Sequence, residues 1–400
     1  MAITLTPLPI PSTADPSNFA VFGQEVLGVN PGKCSADELK EIKDALYRHE
    51  ILLFRNVSLT PEQQYALTKF FDPTSNNFGH GNNKIDSTKS SVLHPDLKTI
   101  PRVPQVQLIG NGPVYNHEGI PEAKLKHPMH MSCHKTVIKE DEVANAGLSP
   151  TRFYRWHIDA ALYDLSPSRV TTLHAIRVPQ GLKQVVRYDD ETGDELLVPL
   201  GTTAFVSGQR IFGLLTDELK SVAVRAKVKY APHPYIWMAR SHVRSTGLGL
   251  ESEGLEKSLE ELPPWSDDKV KIYPMLWKNP VTNKLSLQVH PGGASEIIID
   301  PLPNGADRAK TQLYPGGAHI KDLQEVRELL YRMQRPGIAP KLVYPHDWHE
   351  NDLIIFHNRG VLHSVVGTFL PDQVRVFHQC NLAASNEPVG PNVEDVEKWA

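Results

Sequence analysis

The sequence has little that could hold a fold together covalently. Its 400 residues include three cysteines, Cys34, Cys133 and Cys380, with no CxxC pair. That excludes a disulfide framework and a zinc site built on cysteine, and it fits a reducing compartment. No apolar run reaches 18 residues, so no membrane span is expected. The first thirty-two residues hold neither Lys nor Arg, so no signal or transit peptide is expected and the cytoplasm is the default location. Charge of one sign is also missing. Against 46 acidic residues stand 42 basic ones, net −4, with no long like-charged block, so no nucleic-acid partner is expected. The absence of a fixed-period repeat and of GxGxxG, P-loop and GxSxG elements removes nucleotide-fold and serine-hydrolase readings. What remains is a chain of ordinary globular composition, 40% hydrophobic and 22% charged, whose partner is expected to be a small molecule.

Proline and glycine, 33 and 26 residues, read as many ordered loops between short elements. The length exceeds the roughly 250–300 residues of a single core, which calls for two domains or for one domain with large insertions. We read one domain over 1–400. After a proline-punctuated lead-in, Ser35 and Glu38 have capping-box spacing before an amphipathic helix. ILLFRNV then reads as a buried strand, and Thr60, Pro61 and Gln63 open a second helix. The polar, aperiodic stretch 72–104 reads as a lid-like loop. PQVQLIGNG alternates, which puts Gln105 and Gln107 on one face. RVTTLHAIRV, QVVRY, ELLVPLGTTAFVS, VAVRAKVKYAP and KLSLQVH read as strands, and an insertion over about 241–270 as partly helical. A helix is expected from Leu323 to Gln334, followed by LIIFHNRGVLHSVVG and VRVFHQCNLA as two last strands. Many short strands with a few flanking helices predict a mainly β fold, a β-sandwich or jelly-roll barrel carrying insertions.

In TRFYRWHIDAALY, His157 and Asp159 lie two apart on an apparent apolar strand and project to one side. With one more imidazole they form a 2-His-1-carboxylate facial triad, which leaves positions on Fe(II) for an α-keto acid and dioxygen. His363 in HNRGVLHSVVG is the candidate. Twelve residues later, Arg375 can hold a carboxylate through two parallel hydrogen bonds. Each residue also has a plainer reading. HxD recurs by chance, His363 suits a core histidine bonded to a carbonyl, and Arg375 suits a surface strand. Their order along the chain favours the joint, functional reading. His127, His130, Cys133 and His134 in KHPMHMSCH suggest zinc, but Pro128 interrupts the helix that chelation needs, and a loop near the pocket is preferred.

With these elements in this order, the sequence resembles the taurine dioxygenase (TauD/TfdA-like) family of Fe(II)/α-ketoglutarate-dependent dioxygenases. The likeness spans about 350 residues, including ILLFRN, WHIDAALYDLSP, GTTAFVSG, WKNPVTNKLSLQVHP and HNRGVLH with the trailing VRVFH. It implies a double-stranded β-helix (jelly-roll) core with insertions and flanking helices. It implies Fe(II) on His157, Asp159 and His363, and α-ketoglutarate clamped by Arg375 and hydrogen-bonded by Thr203. Dioxygen is then the other reactant.

Taurine-type members carry a second arginine four residues after the first; here that position is Gln379. An anionic substrate would lose charged hydrogen bonds of about 1.5–3 kcal/mol each and is disfavoured. Gln379 and Asn381, on one face of the strand, suit an amide-rich planar ligand such as a purine dione. RWHIDAALYDLSP, the DDETGDELLVPLGTTAFVSG insertion and this pair are similar to the fungal xanthine dioxygenases. That implies hydroxylation of xanthine to urate, with release of succinate and CO2, in purine catabolism. It also implies Lys126, Asp141, Glu142 and Gln105 or Gln107 around the cosubstrate or purine; Lys124 or Lys135 could replace Lys126, and Glu140 could join the acidic group. Competing expectations are the same chemistry on another heterocycle, a non-catalytic metal-binding jelly-roll protein, and a zinc hydrolase with the same three ligands. Composition leaves the oligomeric state open, a homo-oligomer included.

Overall fold

The computed structural model describes residues 3–11, 14–75, 98–127, 133–139, 148–303, 313–370 and 372–400. Local signals start the early elements. Ser35 and Glu38 form a reciprocal capping box at the start of helix Ala36–His49, and Thr60 and Gln63 do so for helix Pro61–Phe70, with Pro61 at the first position. Between them ILLF, buried throughout, forms strand Ile51–Phe54.

That strand belongs to a nine-stranded sheet. Its path runs Thr4–Pro7, Gln24–Leu27, Ile51–Phe54, Leu353–His357, Val170–Arg177, Arg375–Asn381, Val103–His117 and Lys98–Ile100; Ile120–Leu125 pairs with Val103–His117 off this path. A smaller antiparallel sheet orders Tyr344–His346, Thr203–Ser207 and Val361–Val365. Leu173, Ala175, Ile354, Phe356 and Phe377 of the large sheet share one buried cluster with Phe205, Tyr344 and Val361 of the small one. Two sheets packed through alternate side chains make the core of a jelly-roll.

Each sheet is covered on its other face. Ile42, Ala45 and Leu46 of the first helix cluster with Leu52, Phe54, Leu353 and Ile355. Val326, Leu330 and Met333 of helix Leu323–Gln334 join Ala204, Val206 and Leu362 in the largest cluster. Among the described residues no helix is long and apolar enough to cross a membrane.

Four local expectations need correction. VAVR is not strand but the end of helix Asp217–Arg225, capped by Thr216, and strand Ala226–Tyr230 follows. The 3.6-residue spacing of buried Leu219, Val222 and Ala223 becomes visible only when the pattern is followed back to the cap. LIIFHNRGVLHSVVG forms two strands, Leu353–His357 in the large sheet and Val361–Val365 in the small one, so Asn358–Gly360 is a corner between sheets. The 241–270 insertion holds only short 3-10 turns, Leu259–Glu261 and Asp267–Lys269. Gly247 and Gly249, both at positive φ, and the Pro263–Pro264 pair interrupt any longer helix there. Within 72–104, Lys98–Ile100 and the start of Val103–His117 are strand, while 76–97 lies outside the described residues.

Gly110, at φ +144°, lets one strand pass close to the next, because a Cβ there would overlap the Arg375 carbonyl oxygen. We therefore expect Gly110→Ala to lower stability by about 2–3 kcal/mol. Urea unfolding should show this as a lower midpoint at an unchanged slope.

Candidate active site

Polar side chains gather where the two sheets meet. His157 and Asp159 do not lie on a regular strand, contrary to the sequence reading; their segment is extended and docks on the edge of the small sheet. The His157 and His363 amides each donate to the other's carbonyl at 3.0 Å, and Tyr154 N–H donates to the Val365 carbonyl. Asn358, at the corner between sheets, pins the carboxylate residue from behind. Its Oδ1 accepts from the Asp159 amide, and its Nδ2 donates to the carbonyls of Asp159 and Ser168, all at 2.8–2.9 Å.

The three side chains then converge. Asp159 Oδ1 lies 3.5 Å from His363 Nε2 and 3.8 Å from His157 Nε2, and one donor atom from each residue lies within 4.8 Å of the others. This is the one such metal-ligand cluster among the described residues. His157 Nδ1 sits 2.9 Å from the Arg155 carbonyl, which can only accept, so Nδ1 carries the proton and Nε2 turns its lone pair inward. Burial, reinforced by His363, pulls the His157 pKa down to about 3. The imidazole is therefore neutral, and its closeness to Asp159 is not an ion pair. His363 stacks on Phe205 and packs against the tilted ring of Phe356, and its buried Nδ1 has no partner among the described residues. A carboxylate oxygen and two imidazole nitrogens converging on one point fit a divalent transition ion. His157 keeps 23% of its side chain exposed against 3–4% for the other two, so the site opens on its side.

The second oxygen of Asp159 is also engaged. Thr171 Oγ1 donates to Oδ2 at 2.7 Å and Gln379 Nε2 does so at 3.1 Å. Both donors stand on the inner face of the large sheet, where Asn381 pairs with Thr171 and Gln379 with Gln107 on one side and Leu173 on the other. Gln107 is buried and Gln105 half-buried, and both share that face.

Arg375, on the same strand, is 2% exposed, and no carboxylate pairs with it among the described residues. Its Nε donates to the Gly201 carbonyl, its Nη2 reaches Thr203 Oγ1 at 3.4 Å, and its guanidinium lies over the Phe377 ring. Trp348 Nε1 donates to the same threonine oxygen at 3.2 Å. Burial lowers the Arg375 pKa to about 9. A buried cation beside a hydroxyl, with no anion among the described residues to offset it, suits an external carboxylate.

The remaining expected residues are less central. Lys126 is exposed just past strand Ile120–Leu125; it is the next residue, His127, that is buried, against Phe369 and within the field of Arg375. Lys124 is exposed, and Lys135 pairs with Glu253. Asp141, Glu142 and Glu140 lie outside the described residues, as does His130 of the suggested zinc cluster. Within that cluster Cys133 Sγ contacts His134 Nδ1 at 3.2 Å.

Sequence reasoning missed Thr171 and Asn358. A polar residue inside an otherwise apolar run, VTTL or IIFHN, was the available signal. It also missed His290 in LQVHP, whose ring centre is 6.3 Å from that of His157. His290 Nδ1 accepts from the Gly293 amide, and its Nε2 faces Tyr235 Oη at 3.4 Å. That hydroxyl donates to the Ala160 carbonyl, so the pair braces the loop leaving Asp159.

A family model, "Taurine catabolism dioxygenase TauD, TfdA family", matches residues 9–381. The chain belongs to this family. TauD/TfdA-type likeness extends to curated relatives. An α-ketoglutarate-dependent xanthine dioxygenase of Schizosaccharomyces pombe is 49% identical over 98% of this chain and 91% of its own. One of Neurospora crassa is 50% identical over 94% and 87%. Among solved structures, AAD-2 in complex with Mn(II) and N-oxalylglycine superposes with a TM-score of 0.55 at 18% identity, covering 96% of this chain and all of that one, which supports the jelly-roll fold.

In this TauD/TfdA-type site, Asn358→Ala would remove three buried hydrogen bonds to the Asp159 and Ser168 backbone. We expect a stability loss of about 2–4 kcal/mol and weaker metal binding. Denaturant unfolding and Co(II) titration of the apoprotein read the two effects separately.

Proposed function

We propose that this chain is an Fe(II)- and α-ketoglutarate-dependent dioxygenase that hydroxylates xanthine at C8, converting xanthine, α-ketoglutarate and O2 to urate, succinate and CO2. The reading rests on one observation above the rest. Near-half identity to xanthine dioxygenases runs along almost the whole chain, and it falls on a site whose donor atoms suit the chemistry. Three free cysteines suit a reducing compartment such as the cytosol.

His157, Asp159 and His363 are the proposed metal ligands. Bound there, Fe(II) would supply the dioxygen chemistry that splits the keto acid and oxidises the purine. The protein's part is orientation. The His157 imidazole is held neutral by burial, and Asp159 turns one oxygen inward while Thr171 and Gln379 occupy the other. Arg375 and Thr203 receive the distal carboxylate of α-ketoglutarate, which sets an anion beside the buried guanidinium.

The amide row of Gln107, Gln379 and Asn381, with Gln105 beside it, faces the same space and suits the alternating donors and acceptors of a neutral purine dione. Lys126 and the acidic pair Asp141/Glu142 are proposed to complete the cosubstrate and purine contacts. Apolar walls of Phe205, Phe356 and Phe377 exclude water from one side.

Anaerobic addition of Fe(II) and α-ketoglutarate to the apoprotein should produce a metal-to-ligand charge-transfer band, and xanthine with air should then yield urate. No band in folded protein would overturn the metal and cosubstrate assignment. A band without urate would retain the dioxygenase and reject xanthine in favour of another heterocycle. Replacing the clamp, Arg375→Gln should raise the α-ketoglutarate Kd by about 10–100-fold while leaving Fe(II) affinity within a few-fold.

A further inference from the structure

The orientation of Gln379 carries information beyond its presence near the substrate. An ionised carboxylate only accepts hydrogen bonds, so the group that Gln379 turns to Asp159 Oδ2 must be its NH2. The usual ambiguity of amide orientation is thereby removed. Oε1 then points the other way. Gln379 is half-buried on the inner face of its strand, and its Oε1 accepts from no group among the described residues. Thr171 reaches the same Asp159 oxygen from the neighbouring strand, and its single hydroxyl hydrogen is committed to that bond.

We infer that Gln379 is a positioning residue joining the substrate pocket to the metal site: its NH2 fixes the outer oxygen of Asp159, which commits its carbonyl oxygen to an N–H on the bound heterocycle. Two consequences follow from the polarity of one amide. The substrate edge facing Gln379 must be a hydrogen-bond donor, so a ring nitrogen that is methylated, or that bears only a lone pair, is rejected there. Binding at that edge also polarises and tightens the amide that holds Asp159, so occupancy of the pocket is felt at the metal ligand. Thr171 sets the same carboxylate with its one hydroxyl hydrogen and serves as the internal control. The identity of the heterocycle rests on the function proposed above; the hold on Asp159 does not.

The test uses Thr171→Val, which removes one bond to Asp159, and Gln379→Met, which keeps the volume and removes both contacts of the amide. Anaerobic titration with Fe(II), or with Co(II) as a spectroscopic probe, should show metal affinity lowered about 10–100-fold in both variants. Xanthine and its analogues methylated at one ring nitrogen at a time are then bound at saturating metal and α-ketoglutarate. For one methyl position, the wild type should bind at least tenfold more weakly than it binds xanthine, Thr171→Val should keep that discrimination, and Gln379→Met should lose it. Substrate addition should shift the charge-transfer band in the wild type and in Thr171→Val but not in Gln379→Met.

Unchanged metal affinity in Gln379→Met would overturn the coupling and leave a plain substrate contact. Equal discrimination in wild type and Gln379→Met at every methyl position would overturn the committed carbonyl. If wild-type protein ignores xanthine altogether, the proposed substrate fails, while the metal titrations still decide the hold on Asp159. Should Gln379→Met fold poorly, Gln379→Glu keeps an acceptor toward the pocket and removes the donor to Asp159. It should lose metal affinity yet retain discrimination between xanthine and the methylated analogue.

Discussion

Two backbone hydrogen bonds between His157 and His363 carry the architecture of the site. They join an irregular segment to the edge of a three-stranded sheet, although the two residues are some two hundred positions apart in sequence. Side chains on residues bonded in this way stand next to each other, so two imidazoles come together because of main-chain pairing and not through any attraction of their own. Asp159, two residues on, comes with them. Asn358 completes the arrangement from the corner where the chain leaves one sheet for the other, which is why a single amide side chain can hold both the carboxylate residue and the loop behind it.

The cost of this arrangement is electrostatic. A jelly-roll core is apolar, and the space between its sheets would ordinarily exclude a guanidinium, a carboxylate and a row of amides. The protein meets the cost in two ways. Asp159 is satisfied from within, by Thr171, Gln379 and the corner asparagine. Arg375 is only half satisfied, by a carbonyl, a hydroxyl and an aromatic face, and lacks a counter-charge among the described residues. The contrast separates a group satisfied in advance from one left without a counter-charge among the described residues. Gly110 belongs to the same design, because the strand beside Arg375 must come closer than any side chain would allow.

Much of this was legible in the chain. Capping boxes, the apolar run of Ile51–Phe54 and the amphipathic helix before it are local signals, and each appears where its pattern places it. The HxD pair, His363 and Arg375 could be read in order because a metal site and a carboxylate clamp need those chemical groups wherever the fold puts them. Less legible were features whose cause is not local. VAVR looked like a strand until its cap was included, and the stretch through His363 looked like one strand because periodicity says nothing of a change of sheet. HxD looked like a strand because alternation alone cannot distinguish a ladder from a single bridge.

The sequence by itself determined the inventory: which ligands are available, that no second arginine stands four residues after the first, and that two amides share a strand face. Those statements depend on residue identity and on the two-residue repeat of an extended chain, both of which are local. Only the tertiary structure decided what each group does. Gln379 read as a substrate contact alone, yet register places it beside Asp159, and the carboxylate then dictates which end of the amide turns inward. Thr171 and Asn358 carried no motif at all and became part of the site through strand pairing and a corner. Hydrogen-bond direction between groups remote in sequence is a property of packing, and no local pattern encodes it.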